Sequence, residues 1–141
     1  MDSYKEAKNA YYNAFFKIDV KENEKIVLES KDTNWCYEFA KNIPGADIKA
    51  HEQIILELKN GYYCFIFARD IPGADIEAHE KVILELKDLY CSYCFAKEIP
   101  EANIEEHFKL IYYSGNKQYL DWFIKDVKYK GSKVKEWLLY I

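Results

Sequence analysis

His51, His79 and His107 recur at a spacing of 28 residues, and evenly spaced imidazoles are a residue type from which zinc sites are built. Geometry argues against one shared ion. If the period marks a packed helical repeat, equivalent positions lie roughly 8–10 Å apart, whereas zinc needs each nitrogen at about 2 Å. All three histidines fall in the middle of an apolar stripe, where each can close one hydrogen bond to a loop between repeats. They read as structural residues, with no metal and no cofactor implied.

Cys91-Ser92-Tyr93-Cys94 is a Cys-x-x-Cys pair. It has no second such pair and no βαβ context, which weakens a zinc or redox reading. Positions one or more periods away hold Trp35, Tyr63 and Tyr119 in place of Cys91, and Glu38, Ile66 and Trp122 in place of Cys94. Small core or interface residues are the expectation, with Cys94 placed where it could be exposed and oxidised. The recurrent acids Glu52, Glu57, Glu80 and Glu85 alternate with lysines and read as solvated faces or within-helix ion pairs. No serine or cysteine nucleophile, glycine-rich phosphate loop or isolated carboxylate pair stands out. The sequence therefore points away from an enzyme.

The elements that carry these residues follow from an internal repeat. Phe39-Ala40-Lys41-Asn42-Ile43-Pro44-Gly45-Ala46-Asp47-Ile48 returns as Phe67 to Ile76 and again as Phe95 to Ile104. The register continues through Phe123-Ile124-Lys125-Asp126-Val127, where Lys128 replaces proline, and on to Glu136, in line with Glu52 and Glu80. Backwards, Tyr11 to Lys17 aligns with Trp35 to Lys41 if four residues are deleted, and Glu24 to Glu29 matches Glu52 to Glu57. A fixed period of this size marks a repeat architecture whose terminal copies are atypical caps.

Each copy reads as two short helices. Asp47, Asp75 and Asn103 sit where a side-chain oxygen caps a helix start, and Asn103 with Glu106 has the spacing of a capping box. Helix A follows, with Ile48, His51, Ile54, Ile55 and Leu58 within about 120° of one another on one stripe. Lys59-Asn60-Gly61 breaks it. Helix B then buries Cys36, Phe39, Ala40 and Ile43 in one copy and Cys64, Phe67, Ala68 and Ile71 in the next, at spacing i, i+3, i+4, i+7. It stops before Pro44, Pro72 and Pro100, because the residue before proline is pushed out of the α region. The expected fold is all-α: a right-handed solenoid of about five short helical hairpins with degenerate capping ends. It forms a single repeat domain over 1–141, with units at 1–22 (degenerate), 23–46, 47–74, 75–102, 103–130 and 131–141 (a partial cap).

The unit resembles short α-helical repeats of the broad TPR-like or HEAT-like kind, though it is shorter than either and lacks the TPR consensus. It is also similar to the Phe-Ala-Lys-x-Ile-x-Gly-Ala-Asn-Ile type of repeat in uncharacterised proteins of AT-rich bacteria and their phages, closely over Trp35 to Ile104 and loosely in the flanks. The resemblance implies a fold and carries over no catalytic residue.

Composition bounds the partners. The chain has 141 residues, 50% apolar, with 20 Lys+Arg against 24 Asp+Glu for a net charge of −4. That is too apolar for a disordered chain. No apolar run approaches the roughly 18–20 residues of a membrane span, and MDSYKEAKNA has neither the basic cap nor the apolar stretch of a signal peptide. A cytoplasmic protein with four reduced cysteines is expected. Arg69 is the single arginine, which argues against nucleic acid.

Positions that vary between copies are free to specify a partner. On helix B these give Tyr37, Tyr63, Ile66, Tyr119 and Trp122 as a candidate aromatic protein-binding face, the alternative being that they fill gaps between hairpins or cover a terminal cap; Tyr112, Tyr113, Trp137 and Tyr140 extend the same surface or close the last hairpin. The leading expectation is a non-catalytic protein–protein interaction module. The alternative is a phage or mobile-element inhibitor of a bacterial defence nuclease, of anti-CRISPR type, that occludes a nuclease or another defence-complex subunit. Single-stranded RNA binding by stacked aromatics is the weakest alternative. Oligomeric state and partner identity stay open at this level.

Overall fold

The computed structural model describes residues 2–127. Among them are nine α-helices and no strand: α1 (Ser3–Phe15), α2 (Val20–Ser30), α3 (Thr33–Asn42), α4 (Ile48–Leu58), α5 (Gly61–Asp70), α6 (Ile76–Leu86), α7 (Leu89–Glu98), α8 (Ile104–Ser114) and α9 (Lys117–Val127). None of these helices is long and apolar enough to cross a membrane. The chain divides between Ala74 and Asp75 into two compact units, at the border between the sequence units 47–74 and 75–102. The border drawn between 22 and 23 falls inside α2. The 28-residue register reaches back to Asp19, which precedes α2 as Asp47 precedes α4. Unit 131–141, with Trp137 and Tyr140, lies outside the described residues.

Helix A is α2, α4, α6 and α8; helix B is α1, α3, α5, α7 and α9. In the first unit α1 packs on α2 and α3, α2 on α3 and α4, α3 on α4 and α5, and α4 on α5. In the second, α6 packs on α7 and α8, α7 on α8 and α9, and α8 on α9. Like packs on like and on its hairpin partner in both.

Local chemistry sets the helix ends. Asp47 and Asp75 cap through their side chains, accepting from the N–H of Ala50 and Ala78 at 3.2 and 3.1 Å. Asp32, Asn60, Asp88 and Asn116 cap helix B in the same way, accepting from Trp35, Tyr63, Cys91 and Tyr119. Helix B ends at Asn42, Asp70 and Glu98, and the next residue, Ile43, Ile71 or Ile99, is extended, as the following proline requires.

Helices of about ten residues are marginal alone, so the core carries them. Phe39, Phe67, Phe95 and Phe123, one each in α3, α5, α7 and α9, are fully buried. Each contributes roughly 1.5–3 kcal/mol relative to an exposed ring. Cys36, Ala40, Ile43, Cys64, Ala68 and Ile71 complete the expected stripe and are all buried. On helix A, His51 and Ile55 are buried, while Leu58, expected on the same stripe, is exposed at the end of α4.

Candidate functional site

The most organised polar chemistry lies between consecutive A helices within each unit. In the first unit the Glu24 carboxylate, from the first turns of α2, accepts from the backbone N–H of Asp47 at 2.8 Å and meets His51 Nε2 of α4 at 3.0 Å. In the second unit Glu80 of α6 accepts from Asn103 N–H at 2.7 Å and meets His107 Nε2 of α8 at 2.9 Å. One oxygen, Oε2, makes both bonds in each case. Each glutamate thereby ties the start of the next A helix and its histidine to the preceding A helix. Glu52 and His79 stand at the matching positions and are also buried.

This geometry corrects two expectations. Glu52 and Glu80 are buried, as is Glu24, whereas Glu57 and Glu85 lie in solvent as expected. The capping box at Asn103 is half formed: Asn103 Oδ1 accepts from Glu106 N–H at 3.4 Å, but the Asn103 N–H that Glu106 would satisfy is held by Glu80. The reciprocal carboxylate comes from the previous copy. Likewise His51 and His107 bond directly to a glutamate, and that glutamate bonds to the loop.

His51 has no exposed surface. Burial, outweighing the Glu24 hydrogen bond and charge, holds its imidazole below the ordinary value of 6.5. The neutral ring donates Nε2–H to Glu24, which leaves a lone pair on Nδ1, and Nδ1 has no hydrogen-bond partner. At His107 the Ser92 hydroxyl of α7 lies 2.5 Å from Nδ1. Ser92, His107 and Glu80 thus form a hydrogen-bonded series with the residue types of a hydrolase triad. Ser92 and His107 are fully buried. Phe39 stacks on His51 with ring centroids 5.1 Å apart, and Phe95 lies 5.4 Å from His107.

All four cysteines are buried, Cys94 included, which corrects its expected exposure. Burial pushes the Cys36 and Cys64 thiols up to about 12 and also raises Cys94, leaving little of the reactive thiolate. Among the described residues no group of three or more His, Cys, Asp and Glu side chains converges as a metal site would.

The candidate aromatic face divides. Tyr37 and Ile66 are buried, because B helices pack on B helices and enclose the positions beside the main stripe. The Tyr37 hydroxyl donates to Asp70 at 2.5 Å, and Tyr93 makes the equivalent bond to Asp126 in the second unit. Tyr63 is half-buried and donates to Asn34 at 3.1 Å. Tyr119 is half-buried and meets the exposed Trp122 edge-on at 5.2 Å. Tyr112 is half-buried, and Tyr113 is exposed.

A more exposed apolar cluster lies at the end of α1, where Tyr12, Phe15, Phe16 and Ile18 all face solvent and Phe16 is 68% exposed. Phe15 and Phe16 meet edge-on at 5.5 Å. The signal was present in the pattern. Ala7, Ala10, Tyr11 and Ala14 form the buried i, i+3, i+4, i+7 stripe of α1, so Tyr12, Phe15 and Phe16 fall outside it. Comparisons with protein-family models, curated proteins and solved structures find no match for this chain.

Proposed function

We propose that the chain is a cytosolic, non-catalytic protein-binding module, a short helical-repeat solenoid that engages a partner protein through exposed aromatic side chains. The observation that carries this reading is the α1 corner. Large apolar side chains scattered singly on a surface are ordinary, but a contiguous group marks an interaction site. Here Phe15, Phe16 and Ile18, each at least half exposed, cluster within four residues of one turn. Aromatic anchors of this kind dominate binding energy at protein interfaces. Trp122 with Tyr119 forms a second, smaller candidate face, the remnant of the helix-B surface expected from sequence.

The test is capture from nuclease-treated lysate of the source cell with tagged wild-type chain, Phe15→Ser/Phe16→Ser and Trp122→Ala, each checked for unchanged far-UV circular dichroism. The expected result is a partner held by the wild type and lost, by at least tenfold in yield, from the double variant. Undiminished capture by the folded double variant overturns the α1 corner, and loss from Trp122→Ala instead moves the site to α9. A partner that disappears on nuclease treatment alone replaces protein binding with nucleic-acid binding.

A further inference from the structure

The two latches built on Glu24 and Glu80 share the bridging carboxylate oxygen, the backbone N–H it accepts, the Nε2 contact and the phenylalanine against the ring. They differ at Nδ1. Helix B offers Ser92 to His107, whereas the residue two periods earlier is Cys36, whose sulfur points to the Val27 carbonyl at 3.9 Å. We propose that the Glu24–His51 latch is acid-sensitive, releasing the start of α4 from α2 when His51 takes a proton at Nδ1, and that Ser92 makes the Glu80–His107 latch acid-tolerant.

A proton added at His51 Nδ1 creates an N–H donor on a fully buried ring, at an atom with no hydrogen-bond partner. A buried donor without a partner is strongly disfavoured. At His107 the same N–H points at Ser92 Oγ, and a hydroxyl that donates to a neutral ring can rotate to accept from a charged one. The charged groups acting on His51 are Glu24 from α2 and Asp47 at the start of α4, with no charge from α3 or α5 among them; α3 brings Phe39 against the ring and carries Cys36 at the register of Ser92. The two carboxylates favour the imidazolium, and burial opposes it more strongly. Because Glu24 Oε2 also holds Asp47 N–H, a displaced His51 loosens the first turn of α4 as well.

Amide hydrogen exchange on the full chain at pH 7.0 and 5.0, corrected for intrinsic rates and followed beside the His51 ring resonance, tests this. Protection at residues 47–51 should fall at least tenfold as His51 titrates, while protection at 103–107 holds. Cys36→Ser transplants the hydroxyl and should restore protection at 47–51. Ser92→Cys should transfer the acid sensitivity to 103–107. Unchanged protection at 47–51 once His51 is protonated overturns the proposal, as does equal loss at both latches in the wild type. If Cys36→Ser does not fold, the wild-type profile and Ser92→Cys decide the matter alone, and an acid-stable 103–107 in folded Ser92→Cys also overturns it.

Discussion

Glu24 in the first unit and Glu80 in the second hold the same pair of donors from the same register, yet the imidazole each grips meets a different neighbour on its far side. Ser92 serves His107, and Cys36 leaves His51 Nδ1 without a partner. The Tyr37–Asp70 bond recurs as Tyr93–Asp126, although the intervening copy holds Phe65 and Glu98 at the two positions. The glutamate and histidine that join one A helix to the next are copied together, because losing either partner strands a buried polar atom. A position beside them can drift where a thiol and a hydroxyl fill similar space. The buried polar bonds define how consecutive copies meet, and the neighbouring residue sets how each bond responds to its surroundings.

The largest effect should come from removing the glutamate. Glu80→Ala leaves His107 Nε2–H and Asn103 N–H buried without an acceptor, and each such group costs about 1–3 kcal/mol. With two donors stranded, the substitution is expected to destabilise by about 2–6 kcal/mol. Glu24→Ala should cost a similar amount, since its two contacts differ from those of Glu80 by only 0.1 Å each. Urea unfolding of the two variants measures both. A loss below about 1 kcal/mol in either would show that water reaches the site and that the latch is replaceable.

These glutamates show where sequence reading succeeds and where it stops. Period, helix type, caps at Asp47, Asp75 and Asn103, the stops before Pro44, Pro72 and Pro100, and the buried phenylalanines all follow from local patterns. Glu24 and Glu80 do not, because a glutamate in a helix rich in lysine has the signature of a solvated face, and its burial is decided by the next A helix. One signal was available. Glu24 and Glu80 lie 27 residues before His51 and His107, one short of the period, and where Phe108 replaces the glutamate the histidine register that follows holds Lys135. Asn23, at the histidine register of the first copy, instead donates to Ile18 and Asp19 carbonyls of its own turn. Internal copies thus served as an alignment within one chain. Tyr37 and Ile66 were misplaced for the same reason in reverse: variation between copies suggests a free surface, and B-on-B packing encloses it.

A pH series sharpens the comparison at the next level of effect. The folded state holds the His51 imidazole below 6.5 through burial, so between that lowered value and 6.5 the unfolded chain binds the extra proton. Stability is then full above about pH 6.5 and falls as pH drops through the folded value. His51→Gln keeps an N–H donor for Glu24 without titrating in this range. Its unfolding midpoint in urea should be flatter than that of the wild type between pH 6.5 and 5. Parallel slopes would assign the acid loss to carboxylates elsewhere.

The smallest effect concerns the turn from helix A to helix B, where the two units again use one position differently. The residue after helix A is left-handed in every case, with φ near +50° at Lys31 and Lys59 in the first unit and +54° at Lys87 in the second, but the second unit also holds Gly115 there at +75°. A side chain in this conformation costs about 1–2 kcal/mol, partly offset by the larger entropy that glycine loses on folding, about 0.5–1 kcal/mol. Lys59→Gly should therefore stabilise the chain by about 0.5–1 kcal/mol, and Gly115→Lys should destabilise it by a similar amount. Nothing lies within 4 Å of a Cβ built on Gly115, so the second substitution changes backbone preference without a clash. Thermal unfolding at pH 7.5, where His51 is neutral, isolates this term from the latches. If Lys59→Gly is neutral or destabilising while Gly115→Lys behaves as expected, the lysines at this turn contribute through their side chains, and the strain they carry is retained for what those ammonium groups meet.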